Sequence, residues 1–351
     1  MAKRIALIPG DGIGVEVTGE ATRVLETLVT ARRLPLAWQT LDWGAEKYLR
    51  EGVTLPPNGL EMLRRDFDAV FVGAMGDPRV PSNQHAADIL LGIRFGLDLY
   101  VNQRPVKLLD PRLCPLKNCA AEDVDFVIFR ENTEGAYVGM GGNFKRDTPE
   151  EVAIQEDVNT RRGVERILVH AFEYAQNHGR KKVCMSDKAN AMPYGHGLWQ
   201  RTYADVRKRY PRIEASHLYV DTLAMEIVRN PAQFEIIVTC NLFGDILSDL
   251  AAVLLGGLGV APSANLHPGK VSMFEPVHGS APTIAGKNLA NPLAAILTLG
   301  MMLDYLGFAD EAGRIERAVA EAIRQDKTTR DLGGRLGTRE VGEWICGHLK
   351  G

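Results

Sequence analysis

The 351-residue sequence lacks a long unbroken apolar run, a cysteine framework and an excess of charge of one sign. Its longest apolar stretches, near residues 250–262 and 289–303, are interrupted by glycine or proline. They fall short of the ~20 residues a membrane-spanning helix needs. Lys3 and Arg4 run at once into IALIP, too short for a signal-peptide core. No membrane association and a cytoplasmic location are therefore expected. Cys114, Cys119, Cys184, Cys240 and Cys346 are odd in number and scattered, and the one close pair has four residues between its members. That pattern predicts buried free thiols in place of disulfides or zinc ligands. The 41 Lys and Arg residues against 44 Asp and Glu give a formal net charge of -3, spread along the chain. Such a balance provides no field to attract nucleic acid.

What the sequence does hold is a hydrophobic content of 45%, enough for a large core and, at this length, about two domains. Short β-branched runs alternate with helical patterns: RIALI before residues 15–30, AVFVGA near 69, FVIF at 126, KVCMS at 182 and EIIVTC at 235. This alternation predicts an α/β fold with a largely parallel sheet. Residues 132–160 break the pattern and predict hairpins or an extended arm near 138–160, serving a partner subunit or a site. Residues 289–325 carry apolar side chains three or four apart, which predicts helices with core faces and makes Met301 and Met302 packing residues.

RIALIP ends in Gly10-Asp11-Gly12-Ile13-Gly14 and leads into GVEVTGEATRVLETL. A glycine-rich turn meeting a helix N-terminus can receive a phosphate, and a plain tight turn explains it equally well. The spacing is not the three-glycine dinucleotide fingerprint, so an ordinary Rossmann domain is not expected.

Asp245 and Asp249 lie in NLFGDILSDLAAVLLGG, a predicted helix ended by Gly256 and Gly257. Four-residue spacing puts both carboxylates on one face, where they repel unless a cation lies between them. A solvated face, with Asp245 favoured by the helix dipole, fits the spacing as well. Ile246, Leu250, Val253 and Leu254 are expected on the opposite, packed face, and Asp221 in LYVDTLAM could complete a metal site.

Arg94, Arg104 and Arg130 each stand beside apolar sequence, in ILLGIRFGL, NQRPVKL and FVIFREN. Together three guanidiniums can clamp a small dicarboxylate, although a surface ion pair is the commoner fate of any one of them. Tyr137 in EGAYVGMGG and Lys188 in MSDKANAMPYG offer a phenol and an amine for proton exchange. The loop from Glu275 through His278 and Ser280 to Asn291 suits either adenosine or a structural turn.

Taken in order, GDGIG, NQRPVKL, RENTEGAY, DKANAM, NLFGDILSD and EPVHGSAP resemble the β-decarboxylating dehydrogenases acting on 3-isopropylmalate, isocitrate, homoisocitrate and D-malate or tartrate. The likeness runs from about residue 4 to residue 345. It implies an isopropylmalate dehydrogenase-like, doubly wound α/β fold of two lobes. Residues 1–100 and 253–351 would form the cofactor lobe, and 101–252 the central substrate, metal and dimerisation lobe. It further implies Arg94, Arg104 and Arg130 for substrate carboxylates, Asp245 and Asp249 with Asp221 for Mg2+ or Mn2+, and Tyr137, Lys188 and Asp221 for catalysis. Lys188 and Asp221 would come from the second subunit of a homodimer. The cofactor would lie on Ile13, Glu275, His278, Gly279, Ser280, Ala281, Thr283 and Asn291.

The implied chemistry starts with Lys188 taking the 2-hydroxyl proton while hydride passes to nicotinamide. Loss of CO2 leaves an enolate whose charge the cation stabilises, and Tyr137 protonates its carbon. Asp88 and Leu90 stand six and four residues before Arg94, where isocitrate enzymes resemble one another in Ser and Asn. Leu90 and Leu91 instead resemble an isopropyl pocket, which makes 3-isopropylmalate, and leucine biosynthesis, the first expectation. Ala87 departs from a subgroup of isopropylmalate enzymes with Glu there, and VNQRPVKL with RENTEGAY is similar to D-malate and tartrate dehydrogenases. Thr283 stands where NAD-dependent members usually have Asp, and the Lys-Tyr pattern of NADP enzymes is absent. No cation matched to a 2′-phosphate is evident, so NAD is expected over NADP. A regulatory subunit of a related dehydrogenase is the non-enzyme alternative. The presence of Tyr137, Lys188, Asp221, Asp245 and Asp249 speaks against it.

Overall fold

The computed structural model describes residues 2–350, so the outermost residues of the expected ranges 1–100 and 253–351 lie outside it. In chain order the elements are β1 (Lys3–Ile8), α1 (Ile13–Arg32), β2 (Leu36–Thr40), α2 (Ala45–Glu51), α3 (Gly59–Asp66), β3 (Ala69–Val72) and α4 (Gln84–Gly96). There follow β4 (Val101–Lys107), β5 (Asp125–Glu131), β6 (Gly141–Phe144), β7 (Val152–Gln155), α5 (Arg161–Asn177), β8 (Lys182–Asp187) and α6 (Gly195–Val206). The chain continues through β9 (Glu214–Tyr219), α7 (Val220–Arg229), β10 (Ile236–Thr239) and α8 (Asn241–Ala252). It ends with β11 (Ala264–Leu266), β12 (Ser272–Phe274), α9 (Leu293–Tyr305), α10 (Ala309–Arg324) and α11 (Thr338–Lys350).

Two compact units emerge. The first holds residues 1–99, 107–121 and 252–351, and the second holds 100–106 and 122–251. Segment 107–121, expected in the central lobe, thus belongs with the chain ends.

In the first unit the strand order is β2-β1-β3-β12-β11, parallel except for the β11–β12 pair. The runs IALI and AVFV are buried throughout, as strands covered on both faces must be. Helix α9 places Met302 in the core, fully buried. Gly12 starts α1 at φ 54°, and a Cβ there would lie 2.1 Å from the Ser280 carbonyl oxygen. The glycine is required by close backbone approach.

In the second unit the order is β4-β5-β10-β8-β9, with β5, β10, β8 and β9 mutually parallel. Residues 132–160 form loops around a β6–β7 hairpin whose strands are exposed along their length. Thr160 caps α5 by accepting the Gly163 N–H at 3.0 Å. Helix α8 starts directly after β10, followed by a 3-10 turn that stops at Gly256 in the left-handed region. The expected packed face of this helix is only partly realised. Leu254 is buried, whereas Ile246 and Val253 are 59% and 52% exposed. Cys184, Cys240 and Cys346 are buried free thiols, while Cys114 and Cys119, in loop sequence, are only half-buried.

Candidate active site

The second unit brings together five of the expected residues. Arg104 and Arg130 are 8% and 1% exposed inside β4 and β5, which overturns a surface-pair role for either. Their guanidiniums converge on α8. Arg104 Nη1 donates to Asp249 Oδ1 at 3.2 Å and to Ser248 Oγ at 2.6 Å, and its Nη2 lies 3.4 Å from Asp245 Oδ1. Arg130 Nη1 pairs with the same Asp245 oxygen, and Arg130 Nε donates to Asn241 Oδ1 at 2.8 Å. Tyr137 donates its hydroxyl to Asp245 Oδ2 at 2.7 Å, with the Arg130 guanidinium 5.0 Å from its ring centre. This approach of strand and helix needs Gly244, since a Cβ there would stand 2.5 Å from Arg130 Cβ.

Asp245 and Asp249 share the α8 face as their spacing predicts. Burial raises the Asp249 carboxyl above the usual carboxylate range, Asp245 adds to the rise, and Arg104 and Arg130 oppose it. A pair of neighbouring carboxylates in this condition suits a divalent cation, for which oxygen donors are appropriate. Among the described residues no group of three His, Cys, Asp or Glu side chains is placed to hold a metal within one chain. Asp221, the expected third carboxylate, does not join the other two. It accepts from Lys188 Nζ at 2.6 Å, and that bond holds its carboxyl below the usual range.

Sequence reasoning missed Asn241, which orients Arg130, and Ser248, which receives Arg104. Asn241 stands one helical step of four before Asp245, so the 241, 245, 249 stripe was the available signal.

In the first unit α4 carries Leu90 and Leu91, both half-buried, four and three residues before Arg94 and therefore on its side of the helix. Arg94 Nη2 donates to Glu275 Oε1 at 2.7 Å, and Asn265 Nδ2 donates to the same oxygen at 2.8 Å. Two expected residues are thus directly paired, one assigned to substrate and one to cofactor.

Of the two readings of the α1 N-terminus, its backbone contacts fit the tight turn. The Ile13 N–H is taken by the Ser280 carbonyl at 2.8 Å and the Gly14 N–H by the Asp11 carbonyl at 2.8 Å. Asn291 accepts from the Leu293 N–H at 3.0 Å and donates to Asp331 at 2.9 Å, so its side chain caps α9. His278 has its Nε2 buried without a hydrogen-bond partner, and burial lowers its pKa. An orphaned nitrogen next to Gly279, beside which a Cβ would meet nothing, fits a nucleotide ligand. Ser280 is buried, and Ala281 sits at φ 37°. Thr283 is exposed, and its carbonyl accepts from Lys287 Nζ at 2.8 Å. Lys287 thus stands beside Thr283, bonded to its backbone.

Buried arginines set against paired aspartates, with a phenol bound to one of them, form a polar cluster within an α/β unit. The sequence profile described as isocitrate/isopropylmalate dehydrogenase matches residues 4–345, and the chain belongs to that family of decarboxylating oxidoreductases. It is 43% identical to 3-isopropylmalate dehydrogenase of Thermobifida fusca, over 98% of this chain and 96% of the relative. It is 42% identical to a probable tartrate dehydrogenase/decarboxylase of Agrobacterium vitis, over 99% and 96%. The crystal structure of isocitrate dehydrogenase from Methylococcus capsulatus superimposes with a TM-score of 0.90 at 38% identity, covering 99% of this chain and 100% of that one.

Proposed function

We propose that the chain oxidises and decarboxylates 3-isopropylmalate with NAD and Mg2+ or Mn2+, as a homodimer in the cytoplasm, in leucine biosynthesis. The observation that carries the chemistry is the convergence of Arg104, Arg130 and Tyr137 on Asp245 and Asp249. What favours this acid is the pair Leu90 and Leu91 on the Arg94 side of α4, since burying an isopropyl group there contributes about 1.5–3 kcal/mol. Relatives at 43–45% identity are named 3-isopropylmalate dehydrogenases.

Arg104 and Arg130 hold substrate carboxylates, and Arg94 is assigned the same task. Asp245 and Asp249 hold the cation, which supplies Lewis acidity toward the substrate oxygens. Glu275, His278 and the loop to Asn291 would hold NAD, which when bound would supply the hydride acceptor. Lys188 Nζ accepts the hydroxyl proton, directly or through a relay, and the Tyr137 hydroxyl gives a proton to the carbon that loses CO2.

Lys188 and Asp221 serve the site of a second copy in this reading. Three observations support a dimer. Asp221 lies with Lys188 and apart from any three-ligand cluster. Met225 and Val228 on α7, with Leu242 and Ile246 on α8, are exposed apolar side chains. The hairpin arm likewise exposes Met140, Phe144, Val152 and Ile154. A second copy covering such faces would remove apolar area from water.

D-malate or tartrate is the second reading, favoured by the Agrobacterium vitis relative. Initial rates on 3-isopropylmalate, D-malate, tartrate and isocitrate, each with NAD and NADP and with Mg2+ or Mn2+, decide. The highest kcat/KM is expected for 3-isopropylmalate with NAD. A preference for D-malate or tartrate overturns the substrate, and a preference for NADP overturns the cofactor.

A further inference from the structure

We propose that His196 is a positioning residue, fixing the backbone of Lys188 and tying it to the base of the hairpin arm. The inference rests on the assignment of Lys188 given above. His196, on α6, is 1% exposed, and its Nδ1 accepts the Lys188 N–H at 2.8 Å. The acceptor role requires a ring that is neutral at Nδ1, with its proton on Nε2. That second nitrogen lies 3.8 Å from Asp157 Oδ2. Asp157 Oδ2 in turn accepts from Asn159 Nδ2 at 2.7 Å, and Asn159 Oδ1 accepts from Trp199 Nε1 at 2.8 Å. The neighbouring Val158 carbonyl receives the Gly135 N–H at 2.7 Å, two residues before Tyr137. Edge-on to the imidazole, at 5.1 Å between ring centres, stands Phe243 of α8, two residues before Asp245.

One buried ring therefore touches the loop that carries Lys188, the segment that anchors the arm, and the helix that carries the aspartates. The charged groups facing it are Asp157, from the segment after β7, and Asp187, at the end of β8; α8 presents the neutral Phe243. Burial lowers the pKa of His196 and both aspartates oppose that effect. On acidification a proton arriving at Nδ1 faces the Lys188 N–H, and the bond is lost. The Lys188 side chain then loses its fixed origin. A purely space-filling histidine would carry no such pH signature.

Two variants separate these roles. His196→Asn keeps a carbonyl acceptor near the Nδ1 position and cannot titrate, and His196→Leu fills the space without an acceptor. Amide hydrogen exchange of the peptide containing Lys188, corrected for intrinsic rate, is measured in full-length protein between pH 5 and 8. Native protein is expected to lose protection toward the acid end, below the ordinary imidazole range, His196→Asn to keep it throughout, and His196→Leu to lack it at every pH. Under the proposed activity, His196→Leu lowers kcat by about tenfold or more with KM for NAD unchanged, and His196→Asn retains most of kcat. Equal protection at Lys188 in all three proteins, whatever their activity, overturns the inference. Exchange as expected, with no turnover of any candidate acid by native protein, overturns the proposed function and leaves His196 as the anchor of this loop.

Discussion

The hydroxyl of Tyr137 donates to Asp245 Oδ2 at 2.7 Å, and the other oxygen of that carboxylate is held by Arg130. A phenol and two guanidiniums are thereby joined through a single carboxylate. The geometry fixes the phenol by its oxygen, so removing that oxygen should affect proton delivery more than architecture. Tyr137→Phe is expected to lower kcat by about 10²–10⁴-fold. Binding of Mn2+ and of NAD, read by calorimetry, should stay near native. Unchanged turnover removes Tyr137 from the chemistry.

Arg130 makes a different kind of contact, because its buried, planar group serves Asn241 and Asp245 from separate nitrogens. Lysine carries the charge and cannot make both bonds. Arg130→Lys is therefore expected to lower kcat/KM by about 10–100-fold, as the loss of a hydrogen bond to a charged group at about 1.5–3 kcal/mol allows. Steady-state kinetics with 3-isopropylmalate checks this. A change under threefold would place Arg130 outside the substrate contacts.

Leu90 and Leu91 give a test of selectivity. Replacing Leu91 with Ser should reduce kcat/KM for 3-isopropylmalate by about 10–200-fold, the range for lost apolar pocket contacts. D-malate, without the isopropyl group, should change by only a few-fold. Parallel loss on both acids would place Leu91 in the framework and not in the pocket.

Stability should carry an acid slope from His170. The ring stands edge-on to Phe129 at 5.0 Å between centres, its Nε2 has no partner, and burial lowers its pKa to about 4. The folded pKa lies below the unfolded value of about 6.5, so the unfolded chain binds the extra proton between these limits. Stability from this group is full above about pH 6.5 and is lost as pH falls toward 4, by about 2–3 kcal/mol. Urea unfolding of native protein and His170→Phe at pH 7 and pH 4.5 should show a larger acid loss for native. Equal losses would contradict this origin.

Much of the fold was legible because its strands are short apolar runs buried on both faces, such as FVIF in β5 and IIVT in β10, which periodicity detects. The hairpin arm was visible as a lapse of that periodicity. The fate of individual charges was not. Whether Arg130 is a surface residue or a buried one depends on Asp245, 115 positions away, and only the parallel register of β5 and β10 brings them together. Burial of Ile246 and Val253 was overread for a related reason, since an apolar helix face says nothing about which chain covers it. Segment 107–121 carries no boundary signal, and its place with the chain ends follows from tertiary contacts alone. His196 was hidden because a lone histidine in a helix has no distinguishing pattern.

In the proposed function, Lys188 and Asp221 of a second copy complete the site. Lys188→Ala and Asp245→Asn chains, each inactive alone, can be unfolded together, refolded and assayed, with mixed dimers counted by mass tags. Random pairing makes half the dimers mixed, each with one intact site, so roughly a quarter of native activity should return. Mixed dimers that form in that proportion yet show no activity above the two variants would contradict the shared site.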